Sequence, residues 1–170
     1  MPNHVRHIVK ISGPLSEVKR CRAAIQGNDP ETNGPFPIDF QKIIPMPPHI
    51  YTGDPVDYAK EKEDGPDHWY NWRLKHWETK WNAYDQKDCG DRMFIFETAW
   101  SHPAPIFTKL SEQFPKLKFK VRYADEDRGR NLMSLVYEAG IVTDFTPKKA
   151  LEEFSPHAEA FASRVWSYKK

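Results

Sequence analysis

The chain is short of cysteine: Cys21 and Cys89 are the only two in 170 residues, with no CxxC pair and no Cys/His cluster around either. That scarcity excludes a disulfide framework or a zinc ribbon, and it predicts a reduced, intracellular pair. An excess of either charge is also missing, since 25 basic residues face 24 acidic ones. A globally basic nucleic-acid binder is thereby excluded, whereas a local patch is not, because a patch depends on distribution rather than totals. No apolar run approaches the roughly 18 residues that a membrane helix needs, so no membrane partner is expected. The opening MPNHVRHIVKISG lacks the charged-then-apolar layout of a signal peptide, and the expected location is cytoplasmic. HExxH, GxSxG and P-loop patterns are absent as well. No catalytic residue, metal ligand or cofactor is therefore assigned from motifs.

What the chain does have is aromatic surface and proline. Aromatics make up 14% of the residues, too much for a disordered chain, and fifteen prolines imply substantial ordered loop. The first strand, His4 to Ser12, sets Val5, Val9 and Ile11 on one face and His4, Arg6, Ile8 and Lys10 on the other. After Gly13-Pro14, Leu15, Val18, Cys21 and Ile25 recur at helical spacing until Gly27. IDFQKIIPMPP reads as a short strand running into polyproline-like backbone, because each proline biases its predecessor away from helix. Residues 51–66 are charged, Gly/Pro-punctuated and expected to be exposed, with the composition of an insertion.

DHWYNWRLKHW reads as a helix from about Asp67. KWNAYDQ and RMFIFETAW follow as a hairpin with Gly90 in its turn. APIFTKLSEQF has the apolar stripe of a second major helix, ended by Pro115. KLKFKVRYAD alternates cleanly, with Leu117, Phe119, Val121 and Tyr123 against Lys116, Lys118, Lys120 and Arg122. A further strand, NLMSLVYEAG, and a terminal helix or helix pair broken at Pro156 complete the chain. The order predicts an α+β fold: a ferredoxin-like split βαβ antiparallel sheet with helices on one face. The inserted Trp-rich helix, an extra strand and the C-terminal helices are additions to it.

Several phrases together resemble one known family. HVRHIVKISGP, FQKIIPMPP, NWRLKHWETKWNAYD, TAWSHPAPIFTKLSEQFP and RYADEDRGRN occur in the order found in the Api92-like (YubB) family of phages and conjugative plasmids. The resemblance spans roughly residues 1–140. It implies a ferredoxin-like domain from a mobile genetic element, in agreement with the strand count, and it implies no activity. The family's WGTKWN phrase has glycine where this chain has Glu78, which questions whether a tight backbone geometry persists there. The expected organisation is a ferredoxin-like Api92-like domain over residues 1–145, with residues 146–170 a helical extension packed on it.

Two surfaces are candidates for binding. Trp69, Trp72, Trp77 and Trp81 form an aromatic cluster that is either core or an exposed platform for a base, a sugar or a partner protein. Arg6, Lys10, Lys118, Lys120 and Arg122 share the sheet face opposite the expected helices. Like charges side by side there call for Glu97, for Glu152 and Glu153, or for an external anion. A third possibility is a divalent cation held by Asp125, Glu126 and Asp127 with Asp85, Asp88 and Asp91, weighed against a salt-bridged turn using Arg128 and Arg130. The leading expectation is a non-enzymatic binding protein that contacts a host macromolecule, either protein or nucleic acid. The alternatives are a nucleic-acid-binding module on the basic face and a metal-dependent enzyme on the acidic turn.

Overall fold

The computed structural model describes residues 2–28, 34–50, 52 and 68–168. Apart from Thr52, the insertion-like stretch 51–66 lies outside the described residues.

Strand β1, His4–Ser12, is central in the sheet and turns Val5, His7, Val9 and Ile11 to one side. It ends at Gly13, where φ is +137° and an added Cβ would meet the Lys116 carbonyl oxygen at 2.7 Å, so glycine alone fits the corner. Helix α1, Leu15–Ile25, buries Val18, Cys21 and Ile25 against that side of the sheet. Two short strands, β2 (Gly27–Asn28) and β3 (Pro35–Phe36), pair as a separate ribbon.

The strand expected in IDFQKIIPMPP does not form. Its place is taken by a 3₁₀ turn, Phe40–Lys42, capped by the Asp39 carboxylate, which accepts from the Gln41 backbone. The reason is local competition. The Ile38 N–H donates to Gln86 Oε1 at 2.9 Å and the Phe40 N–H donates to Asn82 Oδ1 at 2.9 Å. Side-chain amides thus satisfy the backbone that a sheet ladder would otherwise use.

Helix α2, Trp69–His76, leads to the hairpin of β4 (Tyr84–Asp88) and β5 (Met93–Ala99), with Gly90 at φ +96° in the turn. Helix α3, Ala104–Gln113, buries Ile106, Phe107 and Leu110. Strand β6, Lys118–Asp125, returns beside β1, and β7 (Leu132–Glu138) and β8 (Ile141–Asp144) widen the sheet. A 3₁₀ turn at Lys148–Ala150 precedes helix α4, Pro156–Trp166, whose Ser155 cap accepts from the Ala158 N–H.

The six strands run antiparallel in the order β4-β5-β1-β6-β7-β8. The run β4-β5-β1-β6 is the split βαβ, in which the first and last strands of the motif, β1 and β6, are neighbours, as expected. Helices α1 and α3, with the tryptophans of α2, pack one face around Val9, Phe94, Phe96, Phe119 and Val121. Helix α4 takes the other face, where Ala158, Phe161, Ala162 and Val165 meet Ile8, Ile95 and Leu132. The face expected to stand open is therefore partly roofed. The sheet also has a strand the sequence did not suggest: β8 is exposed along its whole length and lacks the alternation that marks a strand.

Candidate functional site

The β1–β6 ladder gathers the cations. Lys10 is the direct partner of Lys120, Ile8 of Arg122, Ser12 of Lys118 and Arg6 of Ala124. Strand pleat sends all five basic side chains to the α4 face. Two of them have internal partners. Arg6 donates through one guanidinium nitrogen to the Trp166 carbonyl at 3.3 Å and stands 5.6 Å from the Trp166 ring centroid. Lys118 pairs with Glu138 at 3.0 Å.

The other three, Lys10, Lys120 and Arg122, converge on a pocket of about 190 Å³ that Arg164 of α4 and Tyr168, just past its end, complete over a floor of Ile8. The Arg122 guanidinium lies 5.4 Å from the Phe161 ring centroid, which fixes its approach. The Tyr168 hydroxyl reaches Met93 Sδ at 3.5 Å, holding the end of the described chain over the pocket. No acidic residue lines the pocket, and none of its four cations forms an ion pair among the described residues. Neither Glu97 nor Glu152 and Glu153 compensates them. Glu97 faces Arg6 instead, and the other two are exposed before α4. Arg164 and Tyr168 were not foreseen. The i, i+3, i+4, i+7 stripe of Ala158, Phe161, Ala162 and Val165 was the signal, because it shows which side of α4 meets a sheet.

The aromatic cluster is placed differently. Trp69, Trp72 and Trp77 are buried at 6%, 7% and 0% exposure, and the Trp77 indole N–H donates to the Ile44 carbonyl at 2.9 Å. Trp72 and Trp77 meet edge to face with centroids 5.7 Å apart, and Arg73 lies over both Trp69 and Trp77. A helix apolar around most of its circumference is here sandwiched rather than displayed. Trp81 is half-buried and Trp100 exposed, with the Lys80 ammonium 4.9 Å from one ring centroid and 5.3 Å from the other.

The acidic turn is used by its own backbone. Asp125 is buried and accepts from Asn3, from the Asp127 N–H and from Asn131, at 3.3, 2.9 and 3.1 Å. Glu126 accepts from the His4 N–H at 2.8 Å, and Asp127 pairs with Arg130 at 2.6 Å. Asp88 pairs with Arg22 instead of joining them. Among the described residues no group of His, Cys, Asp or Glu is gathered as metal ligands would be. Both cysteines are free, and burial pushes the Cys21 thiol up to about 12, so it is not a nucleophile at neutral pH.

These features define a ferredoxin-like α+β sandwich with a cationic pocket between the sheet and an added helix. A family model described as the ferredoxin-like domain in Api92-like protein matches residues 76–165, and the chain belongs to that family. The match runs from the end of α2 through α4 and so includes Lys120, Arg122 and Arg164. No curated protein and no solved structure matches the chain.

Proposed function

We propose that the protein is a non-enzymatic binding protein that grips the phosphate backbone of a nucleic acid at Lys10, Lys120, Arg122 and Arg164. As an accessory factor of a phage or plasmid, it would meet that partner in the host. The observation that supports this reading is the convergence of four cations, from two strands and a helix and without ion pairs among the described residues, on a pocket with no acidic residue among its described walls. Two lysines placed as direct ladder partners repel each other, and a bound anion relieves that repulsion. Arginine adds the planar fork that matches phosphate oxygens. Base readout is not part of the proposal, because α4 occupies the surface on which single-strand readers stack bases and Tyr168 is the pocket's one aromatic.

Fluorescence anisotropy with labelled mixed-sequence single strands and duplexes tests it. The wild type should bind at low salt with a log–log salt slope of about −1.5 to −3.5, the range for two to four phosphate contacts. Lys10→Glu/Lys120→Glu should abolish that binding while leaving the fold intact, since both side chains are exposed. No binding at low salt, or equal binding by the double variant, would overturn the reading.

A further inference from the structure

On the same sheet face, at the β4 edge and away from the cationic pocket, lies a cavity of about 1170 Å³ whose walls include His4, Arg6, Trp81, Tyr84, Asp85 and Glu97. Its amides are already committed. Gln86 clasps the Ile38 backbone through both its oxygen and its nitrogen, and Asn82 binds Asp39 and the Phe40 and Ala83 N–H groups. Those bonds build one wall and leave the charged groups to face the opening.

Glu97 is the anomaly in that cavity. It is only 8% exposed, it lines the opening, and among the described residues it accepts no hydrogen bond and forms no ion pair. Its ladder partner on β1 is Arg6, whose guanidinium turns to the Trp166 carbonyl instead. Its ladder partner on β4 is Tyr84, whose hydroxyl shares a 2.6 Å hydrogen bond with His4 Nδ1. The Glu97 carboxyl reaches the cavity opening without a donor from the protein, so a group entering the cavity can supply one. Strand β4 slips register between Tyr84 and Lys87, and Asp85 within the bulge adopts φ +46°, which re-aims that stretch toward the cavity.

We infer that this cleft is a second binding site, built to take an organic cation, a guanidinium or a primary ammonium on an extended chain, with the Glu97 carboxylate as its counter-ion. Charge complementarity selects that class. Burial, Asp85 and Glu126 all disfavour negative charge on Glu97, and Arg6 and His4 only partly offset them, so its carboxyl titrates above the ordinary range. The missing complement is a positively charged donor. Lys87 at the rim and Asp39, held by Asn82, are the other charged groups on the walls. The Trp81 and Tyr84 rings, edge to face at 5.9 Å, offer the aromatic surface that alkylated cations favour.

The chemistry has two natural sources, a free polyamine or a basic side chain of a partner peptide. Calorimetric titration with spermidine, with arginine amide and with a short arginine-containing peptide separates them. Binding to the wild type should tighten as pH rises through the Glu97 titration, with protons released, and Glu97→Gln should weaken it by about tenfold or more. The Glu97 carboxyl carbon resonance, followed by NMR in the same titrations, should move with the ligand and reports the contact directly. A response to the small cations or to the peptide alone assigns the source, and either supports the site. Equal binding by wild type and Glu97→Gln, or no response to any of the three at millimolar concentration, overturns it. Lys10→Glu/Lys120→Glu should bind these cations as the wild type does, so failure of the nucleic-acid reading leaves this result standing.

Discussion

His7 and His102 stack with ring centroids 5.2 Å apart on the dry side of the sheet, and the fold holds both of them uncharged. His7 also lies flat on Phe96 at 4.6 Å and meets no hydrogen-bond partner at either ring nitrogen among the described residues. His102 shares a 2.8 Å hydrogen bond with the Tyr137 hydroxyl and stacks on Tyr123 at 4.6 Å. Burial lowers both. His102 falls to about 3, and His7 is driven well below its ordinary value by burial and then by the charge of His102.

Acid lability follows from that pair. An unfolded histidine takes up a proton near its reference pKa of about 6.5, whereas the folded pair does not. The unfolded state therefore binds more protons below that point, and stability present above it is lost as pH falls from 6.5 toward 3. Urea unfolding at pH 7.5, 6, 5 and 4 should show a steady decline, and His102→Gln should flatten it. A curve level from pH 7.5 to 5 would contradict the assignment.

Glu78 supplies a second prediction. It follows the last turn of α2 with φ +60°, in the left-handed position where helices most often end on glycine. The tight geometry implied by the family's glycine thus persists with a glutamate in it, and the Ser101 hydroxyl donates to the Glu78 carbonyl to hold it. A non-glycine residue there costs about 1–2 kcal/mol, part of which glycine returns through its extra freedom when unfolded. Glu78→Gly should stabilise the protein by about 0.5–1 kcal/mol, or about 2–4 °C in Tm per kcal/mol for a domain of this size. Destabilisation on thermal melting would show that the Glu78 side chain makes a contribution that outweighs the strain.

The strands with a period of two, β1 and β6, could be read with their faces, because alternating side chains fix both the element and its orientation. Their adjacency followed from the connection rules of a split βαβ motif. The helix around Trp72 could be read too, but its burial could not. Nearly uniform apolarity says only that two layers cover a helix, and those layers come from Phe40, Ile44 and Phe96 elsewhere in the chain. The cationic pocket was half visible. Its lysines lie in the two most regular strands of the protein, β1 and β6, whereas Arg164 enters from a helix whose apolar stripe marks its docking side but not which face of the sheet it covers. The Glu97 cleft was not visible, because it depends on a bulge in β4 and on Arg6 choosing the Trp166 carbonyl over its ladder partner. Such choices are settled by packing among distant segments.

The last prediction separates function from stability at one residue. Lys120 and Lys10 are exposed ladder partners, with Arg122 and Arg164 lining the same pocket and no acid within it. Opposed like charges on neighbouring strands destabilise a sheet, and exposed ones do so mainly at low ionic strength. Lys120→Gln should therefore raise Tm in dilute buffer, by the equivalent of a few tenths of a kcal/mol, and the gain should vanish near 1 M salt. Lys118→Gln is the control. Lys118 is paired with Glu138 and both side chains are about half exposed, so its removal should give no gain at either salt concentration. A site kept for an anion carries repulsion when empty, so phosphate added to the wild type should raise Tm toward that of the variant, and phosphate added to Lys120→Gln should raise it less. If the two proteins melt together at low salt, the lysines are no burden to the fold, and their alignment would no longer require an anion.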